Sequence, residues 1–365
     1  MKRILIYGPY NNRARDIESL AVALRKKGHE VFFVTQLAGD GIIEQLQREG
    51  ITAVSTGIRS NRFVFKWLRE IWFVMKFCKR NRIDVLFSHL EPAHIVSVFA
   101  QHFINTRVII CRHHVDEIEL VGGSQVFSYK AIYRLGKEFV VVSERTKQYM
   151  IEKENVPAEK IRVINLLFDF KKFPQPDFAK VEAIRKEANA DLILLTACRL
   201  VKFKRPELSV EVLKVLVDKG LNAHLIILGH GELDRELELL IETYNLKGKC
   251  TLAGYKPNVI DYLEACNVLL HPSILDSSSM IIKEAGLRRK LVIGCRGIGL
   301  LDDKLVNEEN GFLTDSDNFV AESVAVIHNY FEQPHRGKRI GDKLHDDVLN
   351  YFSVENRIHD YDFIG

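Results

Sequence analysis

The sequence predicts an α/β protein with two consecutive domains, each a parallel sheet covered by helices on both faces. Short, continuous apolar segments alternate with segments of helical spacing along most of the chain, a pattern typical of buried parallel strands. At 170–178 (FKKFPQPDF) two prolines interrupt the alternation, which then resumes. The 365 residues, 47% of them hydrophobic, suffice for two domains of about 150–200 residues each.

The first series of elements occupies residues 1–170. Continuous apolar runs predict buried strands at 4–8, 29–36, 51–56, 84–90, 107–114, 138–143 and 160–167. Helical spacing predicts a helix over 16–27, which Gly28 ends. Further helices are predicted near 41–49 and over the long segment 61–81.

The second series predicts strands at 191–200, 223–229, 250–254, 268–273, 291–295 and 311–314, with helices between them. We therefore predict a Rossmann-like domain over 1–170 and a second over 171–349, with 170–178 as the linker. A carboxy-terminal helix at about 350–365 is expected to pack back on the first domain. Ligands of such sheets bind beyond the carboxyl ends of the strands, so we expect the site in a central cleft that both parallel sheets face.

Composition excludes several classes of protein. The hydrophobic content and the 27% of charged residues exclude disorder and a disulfide scaffold as general descriptions. No apolar run approaches the roughly 20 residues of a membrane-spanning helix, and the first strand is not expected to be a signal peptide. The six cysteines form no CxxC pair, which favours free thiols and a cytoplasmic location; they are Cys78, Cys111, Cys198, Cys250, Cys266 and Cys295.

Positive charge is concentrated in the first half of the chain. Residues 1–170 carry 26 Lys and Arg against 18 Asp and Glu, whereas 171–365 carry 26 against 30. The segment 59–82 has eight basic residues, one acid (Glu70) and six Phe or Trp residues. A basic amphipathic helix of this kind predicts peripheral binding to an anionic membrane, on its inner face. Nucleic acid is the competing partner and is disfavoured, since no nucleic-acid module is recognisable. An ordinary surface helix is the remaining alternative.

The segment 271–295 contains the most informative polar residues. Asp276 follows an apolar strand, and the serines 277–279 precede an apolar helix. Such serines cap a helix, and the backbone N–H groups of Ser278, Ser279 and Met280 would bind phosphate at its start. Glu284 lies about one and a half turns into the helix, where its carboxylate can accept two hydrogen bonds from a ribose. The alternative is that Asp276 is a turn residue and Glu284 a solvated helix residue.

This segment resembles the retaining GT-B glycosyltransferases, above all glycosyltransferase family four. Seven residues separate Asp276 from Glu284, and Ala285 and Gly286 follow, as in the family's pair of acids. The family's first acid is normally Glu, followed by a Gly/Phe-type sequence, so Asp276 and the serines depart from the pattern. The resemblance implies that Glu284 anchors the ribose and that Asp276 holds the sugar hydroxyls.

A basic pair follows the first strand of the second domain. TACRLVKFKRPEL (196–208) resembles the family's Gly-Arg-Leu segment with a Lys five residues later. Here these residues are Arg199 and Lys204, with Cys198 in the place of Gly. Both side chains could reach a diphosphate and neutralise charge on the leaving group. The alternative is a solvated basic loop.

Other segments complete the resemblance with less specific residues. Gly229 and Gly231 lie in a strand–GxG–helix unit whose third glycine position is Asp234; this fails the NAD fingerprint and predicts a tight turn. The unit is similar to one of the family, and the resemblance implies that Gly229 contacts the donor. The family's base-holding segment matches around Tyr255 and Lys256.

In the first domain, the loop from Gly8 to Asn12 stands where the family has a pair of glycines. The resemblance implies that Gly8 and Asn12 contact the donor. His113 and His114 end the strand 107–114, where the family has a His near the transferred sugar, and His113 is slightly favoured. The polar group His89, Glu91 and His94 ends another strand. It could meet an acceptor; a metal is disfavoured because no HExxH pattern is present.

The resemblance therefore implies a retaining, metal-independent glycosyltransferase without a cofactor other than its donor. The donor is a nucleotide-diphosphate sugar, and the acceptor a cell-envelope polysaccharide or a lipid-linked glycan. No covalent nucleophile is assigned. The alternatives are a non-catalytic nucleotide-sugar-binding protein, which the unusual Asp276 would suit, and a nucleotide-sugar epimerase. A dinucleotide oxidoreductase is disfavoured by the failed fingerprint.

Overall fold

Two compact α/β units make up the chain. The structure, a computed structural model, describes residues 1–11, 14–37, 41–59, 63–113, 124–276, 278–298, 301 and 303–365. Met1–Lys171 and Tyr351–Gly365 form the first unit, and Lys172–Asn350 form the second. Each unit contains one parallel sheet, which confirms the predicted fold class.

The sheet of the first unit has seven strands among the described residues, in the order β3-β2-β1-β4-β5-β6-β7. These strands are β1 (Arg3–Gly8), β2 (Glu30–Thr35), β3 (Thr52–Ser55), β4 (Val85–His89), β5 (Arg107–Arg112), β6 (Phe139–Val141) and β7 (Ile161–Val163). Every pairing is parallel. The helices between them are α1 (Arg15–Lys26), α2 (Ile42–Arg48), α3 (Phe63–Arg80), α4 (Glu91–Ala100), α5 (Ser124–Leu135) and α6 (Glu144–Glu152).

The first sheet is buried on both faces because alternate residues of its strands enter different cores. Leu5 and Tyr7 of β1 pack with residues of α3, α4 and α5. Ile4 and Ile6 pack on the opposite face with residues of α1 and α2. Strands buried on both sides read as continuous apolar runs, which is why the sequence pattern located them.

The helix α3 has one buried and one exposed face. Glu70, Val74 and Cys78 are buried, whereas Val64, Leu68 and Trp72 are 66%, 58% and 61% exposed. The spacing of four residues within each set places its members on one side of the helix. The predicted amphipathic helix is thus present, and its exposed face is apolar as well as basic. Among the described residues, no helix combines the length and apolar content needed to cross a membrane.

The sheet of the second unit has the order β10-β9-β8-β11-β12-β13. Its strands are β8 (Leu192–Ala197), β9 (Ala223–Leu228), β10 (Cys250–Gly254), β11 (Val268–His271), β12 (Leu291–Cys295) and β13 (Phe312–Thr314). The helices of this part of the chain are, in order, α7 (Phe178–Ala188), α8 (Pro206–Asp218), α9 (Asp234–Thr243), α10 (Val259–Ala265), α11 (Met280–Leu287), α12 (Phe319–Glu332) and α13 (Pro334–Phe352). All pairings are parallel, so the carboxyl ends of β8, β9, β10 and β11 point the same way. The loops that follow these four strands therefore lie at the same end of the sheet, here called its carboxyl edge.

The end of the chain differs from the single helix expected over about 350–365. The helix α13 ends at Phe352, α14 (Val354–Arg357) follows, and a 3₁₀ helix covers Ile358–Ile364. Ser353 separates the helices because its side chain accepts a hydrogen bond from the backbone N–H of Asn356 and caps α14. Tyr361 and Ile364 are buried in the core of the first unit.

Candidate functional site

An ionic contact between side chains that are 15% and 14% exposed lies at the carboxyl edge of the second sheet. Nζ of Lys204 is 2.6 Å from Oδ2 of Asp276, and Nε2 of His271 is 3.0 Å from the same oxygen. Lys204 ends the 3₁₀ helix Lys202–Lys204 after β8, His271 ends β11, and Asp276 lies in the loop that follows. The resemblance assigned Lys204 to the diphosphate of a donor and Asp276 to its sugar hydroxyls. These two side chains are in direct contact.

Asp276 is held in its ionised form. Burial alone would raise the pKa of its carboxyl group, but the hydrogen bond and charge of His271 and the charge of Lys204 outweigh it. The pKa of Asp276 therefore lies well below its ordinary value. At neutral pH this carboxylate accepts hydrogen bonds and cannot act as a general acid.

We predict that Asp276→Asn lowers the free energy of unfolding by about 2–3 kcal/mol at pH 7, because His271 and Lys204 lose hydrogen bonds to a charged partner. A depressed carboxyl pKa stabilises the folded state above about pH 4, the pKa of an unfolded Asp. That contribution is lost as pH falls through the lower pKa of the folded state. Urea unfolding at pH 7 and at successively lower pH values below 4 measures this, and the difference between the two proteins should shrink as the pH falls.

Asp218→Asn is the matched control for this variant. Asp218 pairs with Lys214 at 2.5 Å on the surface of the same unit, and exposed pairs contribute about 0–1 kcal/mol. A loss for Asp276→Asn no larger than the loss for Asp218→Asn at pH 7 would contradict a stabilising role for the buried contact.

Arg199 and Lys204 flank one aromatic ring. Cζ of Arg199 lies 5.9 Å from the centroid of the Phe203 ring, and Nζ of Lys204 lies 5.7 Å from it. Arg199 is exposed and Lys204 is half-buried. The ring attracts both cations, so the loop after β8 carries two positive charges close together. Burial raises the pKa of the neighbouring Cys198 thiol to about 12, which keeps this thiol neutral.

The start of α11 differs from the serine-capped helix that was predicted. Ser279 occupies the N-cap position, but its side chain caps nothing. The hydroxyl of Ser278 instead accepts a hydrogen bond of 2.8 Å from Nζ of Lys283, which is fully buried. The first backbone N–H groups of an α-helix have no acceptor within the helix. Phosphate binding by Met280 and its neighbours stays a prediction. Ser277 lies outside the described residues.

Glu284 is half-buried on α11, between the buried residues Lys283 and Ala285. The alternative was a solvated helix residue, and the side chain is partly shielded from solvent. Its contact with a ribose stays a prediction.

The turn after β9 needs glycine. Gly229 has φ +130, and a Cβ there would lie 1.8 Å from the carbonyl oxygen of Cys198; at Gly231 it would lie 2.1 Å from that of Leu200. The loops after β8 and β9 thus pack backbone against backbone, as the tight-turn interpretation predicts. In the next loop, Tyr255 is 73% exposed and Lys256 is half-buried. Both are accessible to a ligand.

Candidate residues of the first unit lie at the ends of β1 and β5. Gly8 ends β1, where an added Cβ would meet open space. His113 directly follows β5, and its Nε2 is 2.9 Å from Nδ1 of His89 at the end of β4. Asn12 and His114 lie outside the described residues. Within the described part of the chain, no group of three or more His, Cys, Asp or Glu side chains is arranged to hold a metal ion.

Sequence reasoning missed three residues of these clusters. His271 ends an apolar strand, as His89 does, and a polar residue at a strand end was the available signal. Phe203 lies between two lysines in the sequence, and an aromatic residue with cationic neighbours was the available signal for a cation–π contact. Lys283 gave no signal, because a lysine beside Glu284 on a helix is normally solvated.

Family models match both units of the chain. The model described as "Glycosyl transferases group 1" matches residues 177–343, and the one described as "Glycosyltransferase Family 4" matches residues 14–171. The two matches follow each other in chain order and meet near the division between the units.

Curated relatives are similar over different shares of their length. A UDP-Gal:alpha-D-GlcNAc-diphosphoundecaprenol alpha-1,3-galactosyltransferase of Escherichia coli is 24% identical over 82% of this chain and 79% of its own length. WcaL of Escherichia coli, named for colanic acid biosynthesis, is 26% identical over 53% of this chain and 47% of its own. A third relative is MJ1059, a glycosyltransferase of Methanocaldococcus jannaschii, of which the match covers 57%. The chain thus spans about half the length of WcaL and of MJ1059.

A solved structure shares the fold. The crystal structure of Anabaena Alr3699/HepE in complex with UDP superimposes with a TM-score of 0.81 at 17% identity, and the match covers 100% of this chain and 99% of that one. At this identity the likeness concerns the fold.

Proposed function

Because this chain belongs to the GT-B glycosyltransferases, with a group 1 domain after a family four domain, we propose that it transfers a sugar from a nucleotide-diphosphate sugar with retention of configuration. The observation that carries the proposal is the ionised Asp276, held by Lys204 and His271, with Arg199 at the same Phe203 ring as Lys204. A fixed carboxylate in contact with a lysine suits a ligand that joins sugar hydroxyls to a diphosphate.

In the proposed reaction the bond between the anomeric carbon and the β-phosphate oxygen breaks. Negative charge then grows on the diphosphate, and Lys204, Arg199 and the N–H groups at the start of α11 stabilise it. The acceptor hydroxyl forms the new glycosidic bond, and its proton passes to the departing diphosphate. Side-chain cations can neutralise this charge, so the proposed transfer needs no metal ion. Asp276 holds the sugar hydroxyls, and His113 contacts the sugar.

Glu284 is proposed to hold the ribose, with Tyr255 and Lys256 near the base. The complex of Alr3699/HepE with UDP makes UDP-sugars the first donors to test. The galactosyltransferase relative acts, by its name, on a sugar linked to diphosphoundecaprenol. We therefore propose a polysaccharide or lipid-linked glycan as the acceptor.

A thermal-shift screen against nucleotide sugars tests the donor. We predict that one donor raises Tm and that NAD does not, because ligands that bind only the folded state stabilise it by about 2.7 kcal/mol at a hundredfold excess over Kd. The stabilising donor is then incubated with a lipid-linked acceptor. Binding without product would favour the non-catalytic alternative, and an epimer formed without acceptor would favour the epimerase. A shift with NAD alone would contradict the proposal.

We further propose that α3 docks on an anionic membrane. Its exposed face carries Val64, Leu68 and Trp72, and Nζ of Lys76 lies 4.8 Å from the Trp72 ring. Apolar side chains bordered by exposed lysine and arginine suit the boundary between headgroups and acyl chains. A peripheral enzyme would meet a lipid-linked acceptor there.

Trp72→Ser should reduce sedimentation with vesicles that contain phosphatidylglycerol by at least about threefold at low salt, because it removes an aromatic anchor. Leu239→Ser is the matched control, since Leu239 is 55% exposed on a helix of the other unit. Equal recovery of the wild-type protein with neutral and anionic vesicles would count against membrane docking.

A further inference from the structure

Two histidines meet at the carboxyl edge of the first sheet. His89 ends β4 and His113 follows β5, two neighbouring strands. Nδ1 of His89 lies 2.9 Å from Nε2 of His113, and the ring centroids are 5.2 Å apart. One of these nitrogens must donate a proton and the other accept it, so the tautomer of one neutral ring determines the tautomer of the other.

His89 carries a single ring proton. The residue is 4% exposed, and burial, followed by the charges of His113 and His94, holds its pKa well below the ordinary value. His89 therefore stays neutral at physiological pH, and its proton lies on either Nδ1 or Nε2.

The surroundings of His89 decide between these positions. Its Nε2 is buried and, within the described part of the chain, has no hydrogen-bond partner. A proton on Nε2 would be a buried N–H without an acceptor, and orphaned buried N–H groups are rarer than under-satisfied acceptors. With the proton on Nδ1, the N–H of His89 is bonded and only an acceptor is left unsatisfied.

We propose that His89 is a positioning residue that donates from Nδ1 to Nε2 of His113, so that His113 carries its own hydrogen on Nδ1. The Nε2 of His113 is then occupied as an acceptor and cannot take a proton from an acceptor hydroxyl. With its hydrogen on Nδ1, His113 can act toward the transferred sugar only as an N–H donor, to a hydroxyl or ring oxygen. This consequence rests on the proposed function, whereas the tautomer itself does not.

Nitrogen-15 NMR of histidine-labelled protein tests the tautomer without a substrate, because protonated and bare ring nitrogens have distinct shifts. His113→Gln assigns the signals of His113. We expect a protonated Nδ1 and a bare Nε2 at His113. A protonated Nε2, alone or in an imidazolium, would overturn the proposal.

Three variants test the part played by His89. His89→Leu removes the donor and should let the His113 signals shift toward a mixture of tautomers. His89→Asn places an amide N–H near the position of Nδ1 and should restore the wild-type pattern. His102→Gln changes an exposed histidine of the same unit and should leave the His113 signals unchanged. A pure Nδ1–H tautomer in His89→Leu would overturn the role of His89.

Kinetics then separate this inference from the proposed function. His89→Leu should lower kcat by at least about fivefold with little change in donor KM, and His89→Asn should recover most of it. If the spectra are as expected but the wild type has no transferase activity, the tautomer is supported and the proposed function is refuted. The expected spectra with an unchanged kcat in His89→Leu would refute the contact between His113 and the sugar.

Discussion

Lys204→Met is expected to lower kcat/KM for sugar transfer by about a hundredfold, or about 2.7 kcal/mol. The ammonium of Lys204 is half-buried and already bound to Asp276, so it is positioned before the donor arrives. A pre-positioned charge that meets negative charge as it develops lowers the barrier, and removal of one such donor typically costs about 10²–10³-fold. Steady-state kinetics with the donor identified by thermal shift measures the effect.

The control is Lys202→Met. Lys202 begins the same 3₁₀ helix but is exposed, so its loss should change kcat/KM by less than about twofold. Loss of Lys204 also leaves Asp276 with one partner fewer, and urea unfolding must show that the variant is folded under assay conditions. A folded Lys204→Met protein with wild-type kinetics would remove Lys204 from the mechanism.

Both sheets could be predicted from the sequence because each parallel strand is buried on two faces. The runs ILIYG and AHLIIL could be located without knowledge of their partner strands, and they lie in β1 and β9. The helix α3 could be predicted for a different reason, because one of its faces is buried and the other exposed, which gives the sequence a helical period. The end of the chain could not be predicted as well. The cap at Ser353 is a local hydrogen bond that interrupts an otherwise continuous helical pattern.

The site was harder to predict than the fold because its contacts join distant parts of the chain. The pattern indicated Lys204 and Asp276 separately, but they are 72 residues apart in sequence. Only the order β8–β11 of neighbouring strands brings the two loops together. The contact between His89 and His113 depends in the same way on the neighbouring strands β4 and β5. Spacing identifies chemical groups, and sheet order decides which of them meet.

Glu284→Gln is expected to lower kcat/KM by at least about tenfold, or about 1.4 kcal/mol. The proposed role of Glu284 is to accept two hydrogen bonds from the ribose, and a glutamine amide offers only one oxygen and no charge. The ribose is remote from the breaking bond, so its contact acts equally in the ground and transition states. The loss should therefore appear mainly as a higher donor KM.

The control for Glu284→Gln is Glu238→Gln, which changes an exposed glutamate on α9 and should leave both constants unchanged. A donor that carries 2′-deoxyribose sharpens the test, because it lacks one hydroxyl that Glu284 is proposed to hold. The wild type should discriminate against this donor, and Glu284→Gln should discriminate less, since the partner of the missing hydroxyl is already gone. Equal discrimination by both proteins would assign the ribose contact to another residue.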